Sequence, residues 1–268
     1  MSGLHAAPIA GAVFPSGTNL DLCLIVQYDG TDYHGFQKQA GSSTIHGELE
    51  SHLMSLFGAG ILVGASRTDA GVHAQGQVVV WRGPVTVPAE RLMDVMNRRL
   101  PPAIKIVGIQ WVPAGWDPRR AAVSKRYSYR VWRGSGPPSL GWHRLVHTHS
   151  GELSWTRLQE AAQLFLGTHD FRPFRTEGST ARTTLRTIFM SRWDIEEHGQ
   201  VWRYQVVGSG FLYRMVRHMV ASMLMAAGPR GSLEIIQRGL ADKSTKVTPL
   251  APPNGLTLDA IGFDQGGV

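Results

Sequence analysis

The sequence predicts an α+β fold built from two related halves. Each half is a ferredoxin-like, split α+β unit, and the two sheets are expected to join as one continuous mixed sheet, with helices packed on it and a central catalytic cleft. Three observations carry this reading. From Leu20 to Val112, runs of period two and period 3.6 follow the order strand, helix, strand, strand, helix, strand. From Lys125 to Ala227, similar parts recur in a similar order without a literal sequence repeat. A hydrophobic content of 43% against 18% charged, over 268 residues, supplies enough apolar side chains for one large domain or two small ones. The expected division is a flexible N-terminal extension over residues 1–18, an N-terminal half over 19–113 and a C-terminal half over 114–268.

Each element has its own warrant. Leu20 to Tyr28 alternates as a strand and stops at the turn pair Asp29-Gly30. The stretch Thr31 to Gln39 is aromatic and polar by turns, without helical period, and reads as a loop. Ser43 or Thr44 can cap a helix whose apolar face is Ile45, Leu49, Leu53, Leu56 and Phe57. Ile61 to Gly64 and Gln77 to Trp81 are strands flanking a polar turn. Pro88 opens a second helix through Leu92, Val95, Met96 and Leu100, ahead of a strand from Ile104 to Val112. In the second half, Lys125 to Arg133 is a strand and Ser154 caps a helix with Trp155, Leu158, Ala162 and Phe165 inward. Leu185 to Ile195 and Val201 to Val207 form a hairpin through Glu197-His198-Gly199-Gln200, and Leu212 to Ala227 is a long helix. The stretches Arg133 to Ser150 and Phe171 to Thr184 show no period; the latter carries Arg172, Arg175 and Arg182.

Lys and Arg number 27 against 20 Asp and Glu, a formal charge of +7, and only five of the cations are lysine. An arginine-rich excess favours phosphate partners, although a basic protein need not bind nucleic acid. The single cysteine, Cys23, excludes an intramolecular disulfide, a cysteine-rich zinc site and a CxxC redox motif, and suits a reducing cytoplasm. No apolar run approaches a membrane-spanning length.

The usual chemical motifs are missing. The sequence contains no G-x-x-x-x-G-K-[ST] loop, no G-x-G-x-x-G opening a helix, no H-E-x-x-H and no G-x-S-x-G elbow, so neither a cofactor nor a metal is expected. The histidines are scattered without metal-ligand spacing; His143, His147 and His149 cluster, but in a basic Gly/Pro-rich segment. Three stretches remain as candidates. The first is the turn Gly64 to Gln77, where Asp69 stands before Ala70-Gly71 with Arg67 two residues away, an arrangement that holds a carboxylate ionised. The second is the strand Lys125-Arg126-Tyr127-Ser128-Tyr129-Arg130. The third is the helix from Leu212, in which Leu212, Met215, Val216, Met219, Val220 and Met223 make a buried stripe. Arg214, Arg217 and His218 share its other side, and taken alone that side is a solvated basic face.

Read together, these stretches resemble the tRNA pseudouridine synthase A family. Arg67-Thr68-Asp69-Ala70-Gly71-Val72-His73-Ala74-x-Gly76-Gln77 matches its R-T-D-A-G-V-H-A-x-G-Q motif. In order along the chain come Tyr28-Asp29-Gly30-Thr31-x-Tyr33-x-Gly35-Phe36-Gln37-x-Gln39, Asn97-x-x-Leu100-Pro101, Lys125-Arg126-Tyr127-x-Tyr129, His169-Asp170-Phe171-x-x-Phe174-Arg175, Phe211-Leu212-x-x-Met215-Val216-Arg217 and Ala251-Pro252-x-x-Gly255-Leu256-x-Leu258. The set spans Leu20 to about Phe263. The resemblance implies that Asp69 is the nucleophilic carboxylate, Tyr127 the aromatic on the target uracil, Arg217 the cation paired with Asp69, and Arg67 a contact to the flipped nucleotide. It also implies a cytoplasmic homodimer that acts on uridines of the tRNA anticodon stem-loop without metal or cofactor. Two positions depart from the family pattern: Ser66 replaces the usual Gly before the Arg, and His218 stands where Asn is common.

Isomerising uridine means breaking the bond from N1 to C1′, turning the uracil and joining C5 to C1′, so the base must leave its stack. A carboxylate can attack C1′ or take a proton from the sugar, and the residues do not choose between these routes. Two other classes compete. A non-catalytic RRM-like RNA-binding protein shares the split sheet but needs an RNP1-type pattern that the sequence lacks; a hydrolase could pair Asp69 with His73.

Overall fold

The computed structural model describes residues 19–178 and 182–264. The extension expected over residues 1–18 lies outside them. Among the described residues there are ten strands and six α-helices, an α+β protein. They fall into two compact units: one runs to Val123 and takes the chain back from Leu258, and the other is Ser124–Thr257.

The first unit contains β1 (Leu20–Tyr28), α1 (Ile45–Phe57), β2 (Ile61–Gly64), β3 (His73–Arg82), α2 (Ala89–Arg99), β4 (Ile104–Pro113) and the short α3 (Pro118–Ala121). Its strands pair antiparallel in the order β4-β1-β3-β2, which is the split arrangement expected from the element order. Period two explains the burial. Leu22, Leu24, Val26 and Tyr28 make one buried row of β1, and Val79 and Trp81 stand opposite Leu24 and Leu22 on β3. On the other face Cys23, Val78, Val80 and Val112 cluster with Trp116, Ile261 and Phe263 against them. Thr44 caps α1 by accepting from the Gly47 amide, and Ile45, Leu49, Leu53 and Phe57 are its buried face.

The second unit holds β5 (Ala122–Trp132), β6 (His147–Thr148), α4 (Trp155–Gln163), β7 (Gly167–Asp170), β8 (Leu185–Glu196), β9 (Val201–Gly208), α5 (Met215–Ala227) and α6 (Glu234–Ala241). The order β5-β9-β8-β7 is antiparallel throughout, with β6 parallel to the end of β5. Helix α4 packs on α5 and on β8. A buried chain of hydroxyls fastens helix to sheet: Ser191 Oγ donates to the Ala162 carbonyl at 2.7 Å and meets the Tyr204 hydroxyl at 2.7 Å. The last strand, β10 (Leu256–Phe263), starts in this unit and ends in the first.

Two parts of the sequence reading are corrected here. The long helix begins at Met215, not Leu212, because Arg214 takes a left-handed backbone (φ 61°) that no helix can propagate through. The short β6, β7, α3 and α6 and the closing β10 were not anticipated.

Candidate active site

Asp69 lies in the connection between β2 and β3, half-buried, with Arg67 exposed two residues before it. The β2–β3 ladder pairs Gly64 with Val79, and the Ala65 amide still donates to the Val78 carbonyl at 2.8 Å. Beyond that point the backbone leaves the sheet, and the polar groups it frees are satisfied by side chains. Ser66 is bonded at both backbone groups by Gln77, which accepts from the Ser66 amide at 3.2 Å and donates to the Ser66 carbonyl at 2.7 Å. Thr68 is held twice as well. Its hydroxyl is 2.8 Å from that of Tyr28, and its carbonyl accepts from the Phe36 amide at 3.0 Å. The Val72 amide returns to the Asp69 carbonyl at 3.2 Å and closes the turn, whose Gly71 has a φ of 76°.

The aromatic-polar loop after β1 is the other wall of this construction. Gly35 (φ 91°) passes so close that a Cβ there would stand 2.7 Å from the Thr68 carbonyl oxygen and 3.1 Å from the Ala70 nitrogen. Tyr33 accepts from the Gly71 amide through its carbonyl at 3.3 Å. Burial, then the carboxylates of Glu48, Asp32 and Asp29, pushes its phenol above the ordinary value and keeps it protonated. The expected loop is therefore a scaffold for the Asp69 turn. His73, which the hydrolase reading would use as a base, is 2% exposed, and its Nδ1 lies 3.1 Å from the Gly30 amide and 3.2 Å from an Asp29 carboxylate oxygen. That nitrogen serves the turn at Gly30.

The other two predicted site residues belong to the second unit. Tyr127 is on β5 opposite Val206, 6% exposed, with the half-buried Phe211 ring edge-on at 5.2 Å. Tyr129 shares its face but has a different environment. It is fully buried, and its hydroxyl donates to the Pro252 carbonyl at 3.0 Å. Burial pushes the Tyr129 phenol up, opposed by the nearby Arg217 charge. Lys125 stands two residues before Tyr127 in the same row of side chains; burial, then the Arg186 charge, brings its amine down to about 8.

Arg217 corrects the picture of a solvated basic face. Helix α5 is buried almost all round, with Arg217 8% and His218 6% exposed. Arg217 Nε donates to the Ala251 carbonyl at 2.8 Å, while its own carbonyl accepts from the Ala251 amide at 3.2 Å. His218 joins two segments to the helix, with Nδ1 2.7 Å from the Pro249 carbonyl and Nε2 3.1 Å from the Thr176 hydroxyl. Periodicity had grouped Arg214 with these two, yet Arg214 precedes the helix and covers the Tyr213 ring at 4.8 Å. Thr176 also donates its amide to the Tyr213 carbonyl at 3.1 Å, so the segment bearing Arg175 is fixed to the start of α5.

The residues supporting the turn, Tyr28, Gly35 and Gln77, were visible in the sequence as parts of motifs. Their contacts were not, because each depends on a partner about 11 to 40 positions away.

The RRM-like alternative finds no support in the first unit. An RRM stacks bases on aromatics of its two central strands, whereas the corresponding face here has Cys23 on β1 and Val78 and Val80 on β3.

A family model described as tRNA pseudouridine synthase matches residues 24–119 and 161–264. A tRNA pseudouridine synthase A of Acetivibrio thermocellus is 39% identical over 90% of this chain and 98% of its own length. A tRNA pseudouridine synthase A 1 of Desulfotalea psychrophila is 35% identical over 91% of this chain and 99% of its own. One from Geobacter sulfurreducens is 36% identical, over 90% and 98% respectively.

Proposed function

The chain belongs to the tRNA pseudouridine synthase family, and from that premise we propose that it isomerises uridine to pseudouridine in the anticodon stem-loop of tRNA, as a cytoplasmic homodimer. Asp69 is the nucleophilic carboxylate, Tyr127 the aromatic face for the uracil, Arg217 the counter-cation of the carboxylate, and Arg67 a contact to the flipped nucleotide. The observation that carries this reading is the Asp69 turn. A half-buried carboxylate is presented by a loop whose preceding residue is pinned at its backbone and its side chain.

The chemistry needs such a turn. The reaction exchanges an N1–C1′ bond for a C5–C1′ bond, so atoms balance within the nucleotide and no electron or group leaves it. An ionised carboxylate acts at the sugar, either by adding to C1′ or by removing a sugar proton, and each route demands a fixed approach. The uracil must be held while it is detached and turned. An aromatic ring holds a base without fixing its hydrogen-bonding edge, and this suits a base that has to rotate. C5 must finally give up its proton while N1, freed from C1′, takes one up, and the Tyr127 hydroxyl is a candidate to move the C5 proton. Neither route assigns work to a metal or nucleotide. No described helix is long and apolar enough to cross a membrane, and arginines such as Arg175 and Arg182 offer sequence-independent phosphate contacts.

The experiment is direct. The protein is incubated with unmodified tRNA in chelator, without nucleotide, and the digested product is analysed for pseudouridine and its position. Pseudouridine in the anticodon stem-loop is the expected result. Unchanged uridine throughout overturns the reading, and pseudouridine elsewhere in the tRNA overturns the assignment to that stem-loop.

A further inference from the structure

Gln77 is fully buried on β3, one residue past the point where the β2–β3 ladder ends. A primary amide has two donor hydrogens and two acceptor lone pairs, and all four are used. Oε1 accepts from the amides of Ser66 (3.2 Å) and Val78 (3.1 Å). Nε2 donates to the Ser66 carbonyl (2.7 Å) and, at a long 3.5 Å, to the Tyr28 hydroxyl. Had the ladder continued, Ser66 would have met the backbone of Gln77; it meets the side chain in its place. The chain can thus step out of the sheet at Ser66 while both of its backbone groups stay paired. The Tyr28 hydroxyl that closes the amide's fourth bond is itself bonded to Thr68, on the other side of Arg67.

We propose that Gln77 is a positioning residue for turnover: its amide fixes Ser66 and, with Tyr28, the stretch from which Arg67 and Asp69 are presented. The inference rests on the reading of Asp69 given above and extends it to a residue that never touches the substrate. Displacing a catalytic group by about 1 Å costs on the order of 100-fold in rate. A side chain that sets the path of the turn therefore acts on the rate at saturating tRNA and leaves phosphate contacts alone.

Two substitutions test this. Gln77→Met keeps the length and apolar body but removes every polar contact. Gln77→Glu places a carboxylate oxygen where the Ser66 carbonyl now receives a hydrogen bond, and ionised it repels that carbonyl. Protonated, the introduced carboxyl again donates to the Ser66 carbonyl and accepts from the amides of Ser66 and Val78. The groups it faces are those backbone atoms and the Tyr28 phenol, and burial raises its pKa. Single-turnover rates are measured per folded molecule against tRNA concentration, from neutral to mildly acidic pH, each as a ratio to the unsubstituted protein. The saturating rate should fall about 10- to 100-fold in both variants at neutral pH while half-saturation changes far less, by what a shifted Arg67 contact alone contributes, and the Gln77→Glu ratio should recover on acidification. Unchanged rates per folded molecule, a fall matched by weaker tRNA binding, or no recovery of Gln77→Glu in acid would each overturn the inference. If Gln77→Met fails to fold, Gln77→Glu prepared at acid pH still decides. Asp69→Asn is run alongside: normal turnover there removes the reading of the site itself, whereas an inert Asp69→Asn beside normal Gln77 variants removes the role of Gln77 alone.

Discussion

The two units use one strand order and distribute their chemistry differently over it. In the first, β1, β3 and β2 lie side by side, as β5, β9 and β8 do in the second, each set with a helix between its first two strands in sequence. The difference is in the hairpin. Between β8 and β9 the chain reverses through His198 and Gly199, both with positive φ, in the manner of a type I′ turn. Between β2 and β3 it spends residues 65–72 on a projecting turn with Asp69 near its tip. The proposed roles of the second unit fall on Tyr127 in a strand and Arg217 in a helix, both buried. A group on a scaffolded loop can be exchanged without disturbing a core, while a group on a core element serves folding and function together. The comparison therefore predicts function separable from stability in the first unit and coupled to it in the second.

The largest effect is expected for Asp69→Asn. The swap is nearly isosteric and removes the charge of a half-buried side chain, so pseudouridine formation should drop by at least about 1,000-fold. The melting temperature and the affinity for tRNA should stay close to those of the unsubstituted protein. Turnover within tenfold of normal would break the assignment of the nucleophile. A large loss of melting temperature would break the claim that the loop is separable.

Next are the two tyrosines of β5, where the coupling can be graded. Tyr129→Leu removes a fully buried ring and its bond to Pro252, and should cost about 2–4 kcal/mol of stability. Tyr127→Leu loses the edge contact with Phe211 and should destabilise less, yet lower the single-turnover rate far more. Tyr127→Phe keeps the ring, and should retain tRNA affinity whether or not the hydroxyl moves a proton. If both Leu variants simply melt early and their folded fractions turn over equally, Tyr127 is packing.

What could be read from the sequence divides along the same line. Elements whose burial follows a period were legible: Leu22, Leu24 and Val26 on β1, Ile45, Leu49 and Leu53 on α1, and the cap at Thr44. The split order of the first unit followed from them. The start of α5 was misjudged because the apolar spacing runs back to Leu212, while the left-handed Arg214 leaves no mark in hydrophobic periodicity. Strand β10 escaped because Asp259 and Gly262 interrupt its alternation, and β7 because four residues hold too little pattern. At the site, Asp69 and Arg67 stood out by residue type. Arg217 looked like part of a solvated face because a sequence cannot show that Ala251 and Pro249 close over that side of the helix. Gln77 was legible as a member of the motif, but its supporting contacts were not, for a related reason. A glutamine in a strand reads as a solvent-facing position unless its partner across the turn is known.

The smallest effect sharpens the comparison most, because it sets two glycines of similar φ against each other. Gly35 (φ 91°) lies against the Asp69 turn, where an added Cβ would press on the Thr68 carbonyl at 2.7 Å and on the Asp69 carbon at 3.1 Å. Gly199 (φ 90°) lies in the β8–β9 turn with nothing within 4 Å of the same added atom. Both Gly→Ala substitutions carry the left-handed penalty, about 1–2 kcal/mol. Gly199→Ala should show that penalty alone: a melting point lower by a few degrees and a turnover rate per folded molecule indistinguishable from normal. Gly35→Ala must in addition move backbone, and the backbone in its way is the one that carries Asp69, so its turnover should fall beyond what its melting point explains. Equal kinetics in the two variants would mean that the turn adjusts freely and that the packing against Gly35 is incidental. A rate lost in Gly35→Ala and kept in Gly199→Ala would show that one strand order supports a purely structural hairpin in one unit and a catalytic one in the other.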